Sequence, residues 1–270
     1  MKYLSASLLL ASAVFWEIPG AAEPPIFAPT GKWVIEFDDQ QCIATRLFAA
    51  PGGDMAVAIR PAPTGGDFDV FIVPAKAPNR RIVAYSTITI GGRKLHQGTL
   101  WARPKPDGRL LYRLMIPSAE YANLVESRTM TLQGDLGYFT LDLAGLDAVA
   151  RTLNDCNSDL LARWGLPREE QAKLASFPEA TAKIDQIVSN RAYPSAAYPA
   201  VGDVVARVAV AADGSVSDCV VVGSSGNAAL DKATCDAFVH LARMKPALER
   251  SGQPMRGVFV FTKRWLFPHR

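Results

Sequence analysis

Short hydrophobic runs rich in β-branched and aromatic residues dominate the first half of the chain. They occupy residues 33–37, 55–60, 68–73, 82–90, 110–116 and 129–132. Glycine and proline turn signals separate them, at residues 51–53, 64–66, 91–92 and 106–108. Runs of this length at this spacing predict the strands of an antiparallel sheet, or of a sandwich-like pair of sheets.

A different pattern follows between residues 139 and 164. Apolar residues recur there every three or four positions from Leu143 to Trp164, as they do along one face of a helix. Gly165 and Pro167 end the pattern. We therefore predict a β-rich domain over residues 23–165, closed by a helix at its C-terminal end.

The segment 166–192 contains little glycine or serine, so it is not typical of a flexible tether. Pro167 and Pro178 stand where prolines in the first turn of a helix belong, and acidic residues follow both. We expect a linker made of two short helices.

The last part of the chain, 193–270, predicts a small α+β domain. Alternating valines at 204–210 and a second run at 216–222 predict two strands, joined by a tight turn at Asp213-Gly214. Asn227 is a good N-cap for a helix whose apolar face runs from Leu230 to Leu241. A last strand follows at Gly257–Trp265, which gives the order strand, strand, helix, strand.

These features resemble, in their order, the C-terminal domain of TonB-type energy transducers, over about residues 193–267. The matching positions are Tyr193-Pro194, 204–210, Asp213-Gly214-Ser215-Val216, 220–225, Leu230-Asp231, 243–247, Gly252 and Pro254. The resemblance implies a domain that holds an extended segment of an outer-membrane receptor along a sheet edge. It also implies that this edge is the last strand, with Val258, Phe259, Val260 and Phe261 as the partner-binding residues.

A second interpretation of these four residues is that they only pack the core and the sheet. An exposed edge strand could also pair with a second copy of the chain, so a homodimer is possible. The chain departs from the transducers in having no long proline-rich spacer, and its N-terminal apolar segment lacks a histidine.

The first 22 residues have the composition of a targeting segment. Lys2 precedes an apolar stretch, and Gly20 and Ala22 are small residues at a suitable cleavage position, so we expect cleavage between Ala22 and Glu23. The alternative is an uncleaved anchor, because the apolar stretch approaches the roughly 20 residues that span a bilayer. Glu17 counts against the anchor.

Charge and cysteine usage agree with an exported protein. The net charge of +3 is too balanced to indicate nucleic-acid binding, although seven of the eight charged side chains from Arg243 onward are basic. The four cysteines have no metal-binding or redox spacing, and an even number favours disulfides in an oxidising compartment. The simplest pairing is Cys42–Cys156 and Cys219–Cys235. Four cysteines allow three pairings, and the sequence alone does not select one.

A search for catalytic groups gives no enzyme motif. The three histidines, His96, His240 and His269, are scattered, and Lys94 with His96 would form a polar site only if a carboxylate lay near. The carboxylate pairs Asp38-Asp39 and Asp67/Asp69 are typical of turns and sheet ends. Residues 223–226 resemble a nucleophile turn only superficially, because the second glycine comes one residue early. We expect no catalytic residue, metal or cofactor.

Three functional hypotheses remain from the sequence. The first is a periplasmic binding protein of the cell envelope whose TonB-like domain recognises a protein partner. The second is an inner-membrane energy transducer for transport across the outer membrane, anchored by residues 1–22. The third is a periplasmic enzyme with an unrecognised site in 23–165.

Overall fold

The computed structural model describes residues 23–76, 83–104 and 108–266, with the side chains of residues 96–104 excepted. The predicted targeting segment, 1–22, lies outside the described residues. The fold is α+β, which confirms the predicted class. None of the described helices is long and apolar enough to cross a membrane.

A ten-stranded sheet forms the N-terminal unit. Its strands are β1 (Ile26–Phe27), β2 (Val34–Phe37), β3 (Cys42–Ala50), β4 (Gly53–Arg60), β5 (Phe68–Val73), β6 (Val83–Ile90), β7 (Arg93–Pro104), β8 (Leu110–Ile116), β9 (Thr129–Gly134) and β10 (Gly137–Asp142). They are ordered β1-β10-β9-β6-β7-β8-β5-β4-β3-β2. All neighbours are antiparallel except β1 and β10, which are parallel.

The segment 26–30 closes this sheet on itself. Its first two residues pair with β10, and the next ones bond to β3: the amide of Thr30 donates to Leu47, and that of Ala49 donates to Ala28, both at 2.9 Å. The apolar side chains of alternate residues fill the enclosed space, as the period of two along a strand requires. The sheet is therefore a single closed layer around one core.

Two helices pack on this unit, α1 (Tyr121–Ser127) and α2 (Leu146–Arg163). The helical pattern predicted from residue 139 was wrong in its first part, since residues 137–142 form β10. The helix starts after Gly145, whose φ of 80° is a left-handed conformation that suits glycine. The predicted end is confirmed, with Trp164 as C-cap and Gly165 at φ 90°.

Both disulfides join the predicted partners. Cys42–Cys156 links β3 to α2, with the Cα atoms 6.1 Å apart. Cys219–Cys235 links the second strand of the C-terminal unit to its helix, with Cα atoms 5.6 Å apart. The separations lie in the range that a disulfide requires.

Residues 166–192 are only partly helical, which corrects the expectation of a helical linker. Helix α3 (Arg168–Gln171) follows Pro167 as predicted, but the residues after Pro178 form a strand and the next helix is α4 (Ile184–Ile187). The strands of this segment are β11 (Leu174–Ser176) and β12 (Glu179–Ala180). They pair with residues far ahead in the chain, and this pairing outweighs the local helix signal at Pro178.

The C-terminal unit has a three-stranded antiparallel sheet with one long helix on one face. The strands β13 (Gly202–Val210), β14 (Val216–Gly223) and β18 (Gly257–Trp265) are ordered β14-β13-β18, and the helix is α5 (Ala228–Leu241). Between α5 and β18 lie the short strands β15 (Met244–Lys245), β16 (Ala247–Glu249) and β17 (Pro254–Met255). Strand β15 pairs with β12, and β16 pairs with β11 and β17.

Local signals explain much of this unit. Gly214 has φ 83° in the turn between β13 and β14. The Asn227 side chain accepts hydrogen bonds from the amides of Ala229 and Leu230 and caps α5, as predicted. Phe238 of α5 stacks on Phe261 of β18 with 4.0 Å between ring centroids, and this contact fixes the helix to the sheet.

Candidate partner-binding site

Strand β18 is one of the two edges of the C-terminal sheet. It pairs with β13 over nine consecutive positions, and none of the described strands pairs with its other side. A sheet edge of this kind presents backbone N–H and C=O groups to any further strand.

The ladder identifies which backbone groups of β18 point away from β13. The amide of Ala211 donates to Ser215 at 2.9 Å, on the side of β14. Backbone groups alternate in direction along a strand, so the N–H and C=O groups of Val210, Val208 and Ala206 point to β18. Val208 pairs with Phe259 and Ala206 with Phe261, so these two phenylalanines direct their own backbone groups back to β13. The residues between them therefore direct their N–H and C=O groups outward: Val258, Val260 and Thr262. Val258 is buried, at 3% exposure, so the accessible part of the edge begins after it, at Val260 and Thr262.

The four residues predicted as the partner-binding edge fall into two pairs. Phe259 and Phe261 face α5 and stack with Phe238, whereas Val258 and Val260 pack against the N-terminal core. Their side chains thus do pack the core, as the second interpretation held. Of the four, Val260 has outward backbone groups that are not buried, so a binding role at this edge is compatible with the packing and stays a prediction.

A cavity of about 280 Å³ runs beside β18. The cavity is lined by the four consecutive residues 259–262. Side chains of consecutive strand residues lie on opposite faces of the sheet, so a cavity that contacts all four must extend past the edge of β18. Ile184 of α4 and Met115 of β8 line it, and it continues beneath the sheet to Val205 and Val222. We call this cavity the β18 groove; its walls come from both units.

An ion-pair network fixes the face of the C-terminal sheet that lies against the N-terminal unit. We call it the interdomain charge network; its members are Arg60, Asp69, Arg113, Asp203 and Arg264. Arg113 lies at its centre and donates to Asp69 (2.6 Å), to Asp203 (3.1 Å) and to the hydroxyl of Thr262 on β18 (3.1 Å). Arg60 completes the bonding of Asp69, and Arg264 that of Asp203.

The network shifts the pKa values of two of its members, Asp203 and Arg113. Burial raises the pKa of Asp203, but its hydrogen bonds and charge contacts with Arg264 and Arg113 outweigh this, so the pKa lies below its usual value. Burial lowers the pKa of Arg113, and the two carboxylates more than offset it. Both shifts favour the charged forms of Arg113 and Asp203, which form a polar contact between the units.

A second contact between the units lies under β13 and β14. The guanidinium of Arg207 lies over the Trp164 ring, 5.5 Å from its centroid, and also pairs with Asp218 at 3.3 Å. The Nε of Arg207 is buried without a hydrogen-bond partner among the described residues. The aromatic ring and the aspartate together compensate the charge.

Residues 189–265 match the family model of the Gram-negative bacterial TonB protein C-terminal. A TonB C-terminal domain ends this chain. The match confirms the resemblance seen in the sequence, and it leaves residues 23–188 outside the matched region. The family consists of energy-transducer and protein-binding domains, and TonB C-terminal domains interact with outer-membrane receptors. The comparisons with curated proteins and with solved structures found no match.

Among the other residues considered from the sequence, Asp67 and Asp69 line the β18 groove, and Asp38 and Asp39 do not. The Asp38 carboxylate accepts from the amides of Gln40 and Gln41 in a turn, both at 2.7 Å, and Asp39 pairs with Arg163 on the surface. Asp67 and Asp69 separate: Asp67 is exposed at the groove, and Asp69 belongs to the charge network.

The loop 223–226 is a helix entry. The side chain of Ser224 donates to Asp231 at 2.6 Å, and the amide of Ser225 donates to the same carboxylate at 2.9 Å. His240 is in the last turn of α5, Lys94 is exposed on β7, and the side chain of His96 and residue His269 lie outside the described part. In the described residues no group of three or more potential metal ligands occurs.

Sequence reasoning missed Arg113, Asp203 and Met115. A signal was present, because Arg60, Asp69 and Arg113 place charges on the outward positions of strands whose other face is apolar. Such charges are typical of a solvated surface, and only the tertiary fold shows that they meet the TonB C-terminal domain.

Proposed function

We propose that this is an exported envelope protein that binds a protein partner through its TonB C-terminal domain. An extended segment of an outer-membrane receptor, or of another envelope protein, adds to the outer edge of β18. The observation that carries the proposal is the pair of outward N–H and C=O groups at Val260 and Thr262, which line the β18 groove. Backbone pairing supplies affinity in this mode of recognition, and side-chain pockets supply specificity.

The geometry favours β18 over β14, the other edge of the sheet. The register between β13 and β14 shifts at two places, whereas β18 continues without a shift over its nine pairs. A bulged edge is a poor template for a further strand. The groove, moreover, lies along β18.

Two disulfides support an oxidising compartment, so we place the mature protein in the periplasm, with residues 1–22 removed. The rival is a transducer anchored by that segment. The sheet already includes Pro25, whose carbonyl accepts from the amide of Thr140 at 2.9 Å, so no spacer separates residue 22 from the folded unit. An anchored form would keep the TonB C-terminal domain close to the inner membrane, which favours an exported binding module.

The test is a pair of variants at one position, Val260→Pro and Val260→Ala. Both lose the valine side chain, but only proline removes the outward N–H, and proline is tolerated on edge strands. The probes are short peptides selected on the wild-type protein from a random display library, and peptides copying the periplasm-facing termini of outer-membrane receptors. Circular dichroism and intact disulfides establish that each variant is folded.

We expect V260P to lose at least tenfold in affinity, which corresponds to about 1.4 kcal/mol, and V260A to bind within a few-fold of wild type. Equal binding by V260P and V260A would refute strand addition at β18. N-terminal sequencing of the protein from the periplasmic fraction checks the location: a start near Glu23 is expected, and an intact Met1 in the inner membrane would favour the anchored transducer.

A further inference from the structure

We infer that the N-terminal unit forms one wall of the partner-binding groove, and that Met115 selects an apolar side chain on the bound segment. The inference rests on the proposed function and assigns a specificity role to the part of the chain outside the matched family region. The occupant is an extended segment of another protein with an apolar residue directed at the N-terminal unit.

The position of Met115 follows from that of Arg113. Both lie on β8, two residues apart, so their side chains leave the sheet on the same face, about 7 Å from each other along the strand. Arg113 is held against Thr262 on β18 at 3.1 Å. Met115 is therefore close to the same strand, and the β18 groove touches both Met115 and residues 259–262.

Met115 is an exposed hydrophobic side chain that lines the groove. It is 46% exposed, although its strand neighbours Leu114 and Ile116 are buried in the core. Methionine is flexible and polarisable, and it is used at surfaces that bind varied apolar groups. An exposed methionine beside an open strand edge is suited to contact whatever adds to that edge.

An added strand would direct every second side chain at this wall. Those side chains would be cross-strand neighbours of Val260 and Thr262, at Cβ separations of about 5 Å. Of the charged groups that line the groove, Arg113, Asp69 and Arg60 already bond to one another, and Asp67 is exposed. A charged side chain of the partner placed beside Arg113 and Asp69 would lose its water next to groups that already bond to each other, while an apolar one would cover Met115 and Val260.

The interdomain charge network also fixes the position of the N-terminal unit relative to the edge of β18. Arg113 bonds at once to β5, through Asp69, and to β13 and β18, through Asp203 and Thr262. The groove is therefore preorganised, which lowers the ordering cost of binding.

A second copy of the chain fits this groove poorly. Antiparallel pairing of β18 with its own copy requires a two-fold axis perpendicular to the sheet. Such an axis leaves equivalent faces on the same side, so both N-terminal units would lie on one face of the joined sheet, next to the shared edge. The walls carrying Met115 would then meet each other. The occupant is accordingly the bare extended segment of another protein.

The experiment uses the full disulfide-bonded chain and the peptides selected on it. Met115→Gln keeps the length of the side chain and removes its apolar character, and Met115→Leu keeps the apolar character. Leu47→Gln is the matched control, because Leu47 is similarly exposed, at 42%, and does not line the groove. Each peptide is also made with its apolar residues replaced singly by alanine.

We expect M115Q to weaken binding about tenfold, and M115L and L47Q to change it less than threefold. The peptide whose Met115-contacting residue is replaced by alanine should bind M115Q and the wild-type protein equally, because it no longer makes the apolar contact with position 115. Unchanged binding by M115Q, together with a loss in V260P, would overturn the role of the N-terminal unit and leave edge binding intact. Unchanged binding by V260P would instead refute the proposed function, and a dimer that V260P abolishes would show a second copy as the occupant.

Discussion

Replacing Arg113 by methionine tests whether the interdomain charge network holds the two units together. The substitution keeps the aliphatic part of the side chain and removes the guanidinium. The side chain of Arg113 is 11% exposed. It deletes the bonds to Asp69, Asp203 and Thr262. Removing one partner from a buried ion pair costs about 3–5 kcal/mol.

The structure places this variant at the low end of that range. Asp69 keeps its bonds from Arg60, and Asp203 keeps its bonds from Arg264, so neither carboxylate is left unpaired. We therefore expect Arg113→Met to lower the free energy of unfolding by about 3 kcal/mol. Lysine would not restore it, because its single ammonium cannot bridge two carboxylates as the planar guanidinium does.

The assay is urea unfolding followed by tryptophan fluorescence, with both disulfides intact. Arg163→Met is the control, because Arg163 also pairs with an aspartate, Asp39 at 3.2 Å, but is 50% exposed. This control should change stability by less than about 1 kcal/mol. A cycle with Asp203→Asn should show a coupling of about 1–3 kcal/mol. The reasoning fails if R113M unfolds like R163M and the cycle gives no coupling.

Two further predictions concern the disulfides and a buried tyrosine. Cys42–Cys156 closes a loop of sequence separation 114 and Cys219–Cys235 one of 16. The chain-entropy model then predicts that replacing both cysteines by serine lowers the free energy of unfolding by about 5 kcal/mol for the first disulfide and about 3 kcal/mol for the second. A larger loss for the second disulfide in urea unfolding would contradict this. Burial raises the pKa of Tyr121 to about 12, so its contribution to stability is complete below pH about 10 and is lost as the pH rises through 12. Tyr121→Phe should therefore lose less stability than wild type between these pH values, and parallel stability curves would show that the hydroxyl does not ionise with the expected shift.

The sequence predicted those parts of the fold that depend on neighbouring residues. The turn at Asp213-Gly214 and the cap at Asn227 act over a few positions, so the strand, strand, helix, strand order could be predicted. The disulfide partners were predicted because each pair lies within one expected domain.

The parts that were missed depend on contacts between distant residues. The closing segment 26–30 is short, and it becomes a strand because two sheet edges lie beside it. Strand β7, Arg93–Pro104, was not predicted, because its hydrophobic pattern is interrupted by polar residues. Residues 179–180 adopt a strand through their pairing with β15.

The candidate site was predicted to a similar extent. The last strand could be named from the resemblance, and its role as a binding edge stays a prediction. The groove could not, since Met115 and Thr262 are separated by most of the chain and meet only through the packing of one unit on the other.

The pairing of β11 and β12 with β16 and β15 has a consequence for how the TonB C-terminal domain can be excised or transplanted. A fragment starting at residue 189, where the family match begins, would leave β15 without its partner strand and β16 paired with β17 alone. It would also lose the ring of Pro178, which lies so close to Gly257 that a Cβ there would be 2.8 Å away, and the carboxylate of Glu170, which holds Arg256 at 2.9 Å. The cut that preserves the domain lies before Glu170, so the transferable piece is longer than the region shared with its family.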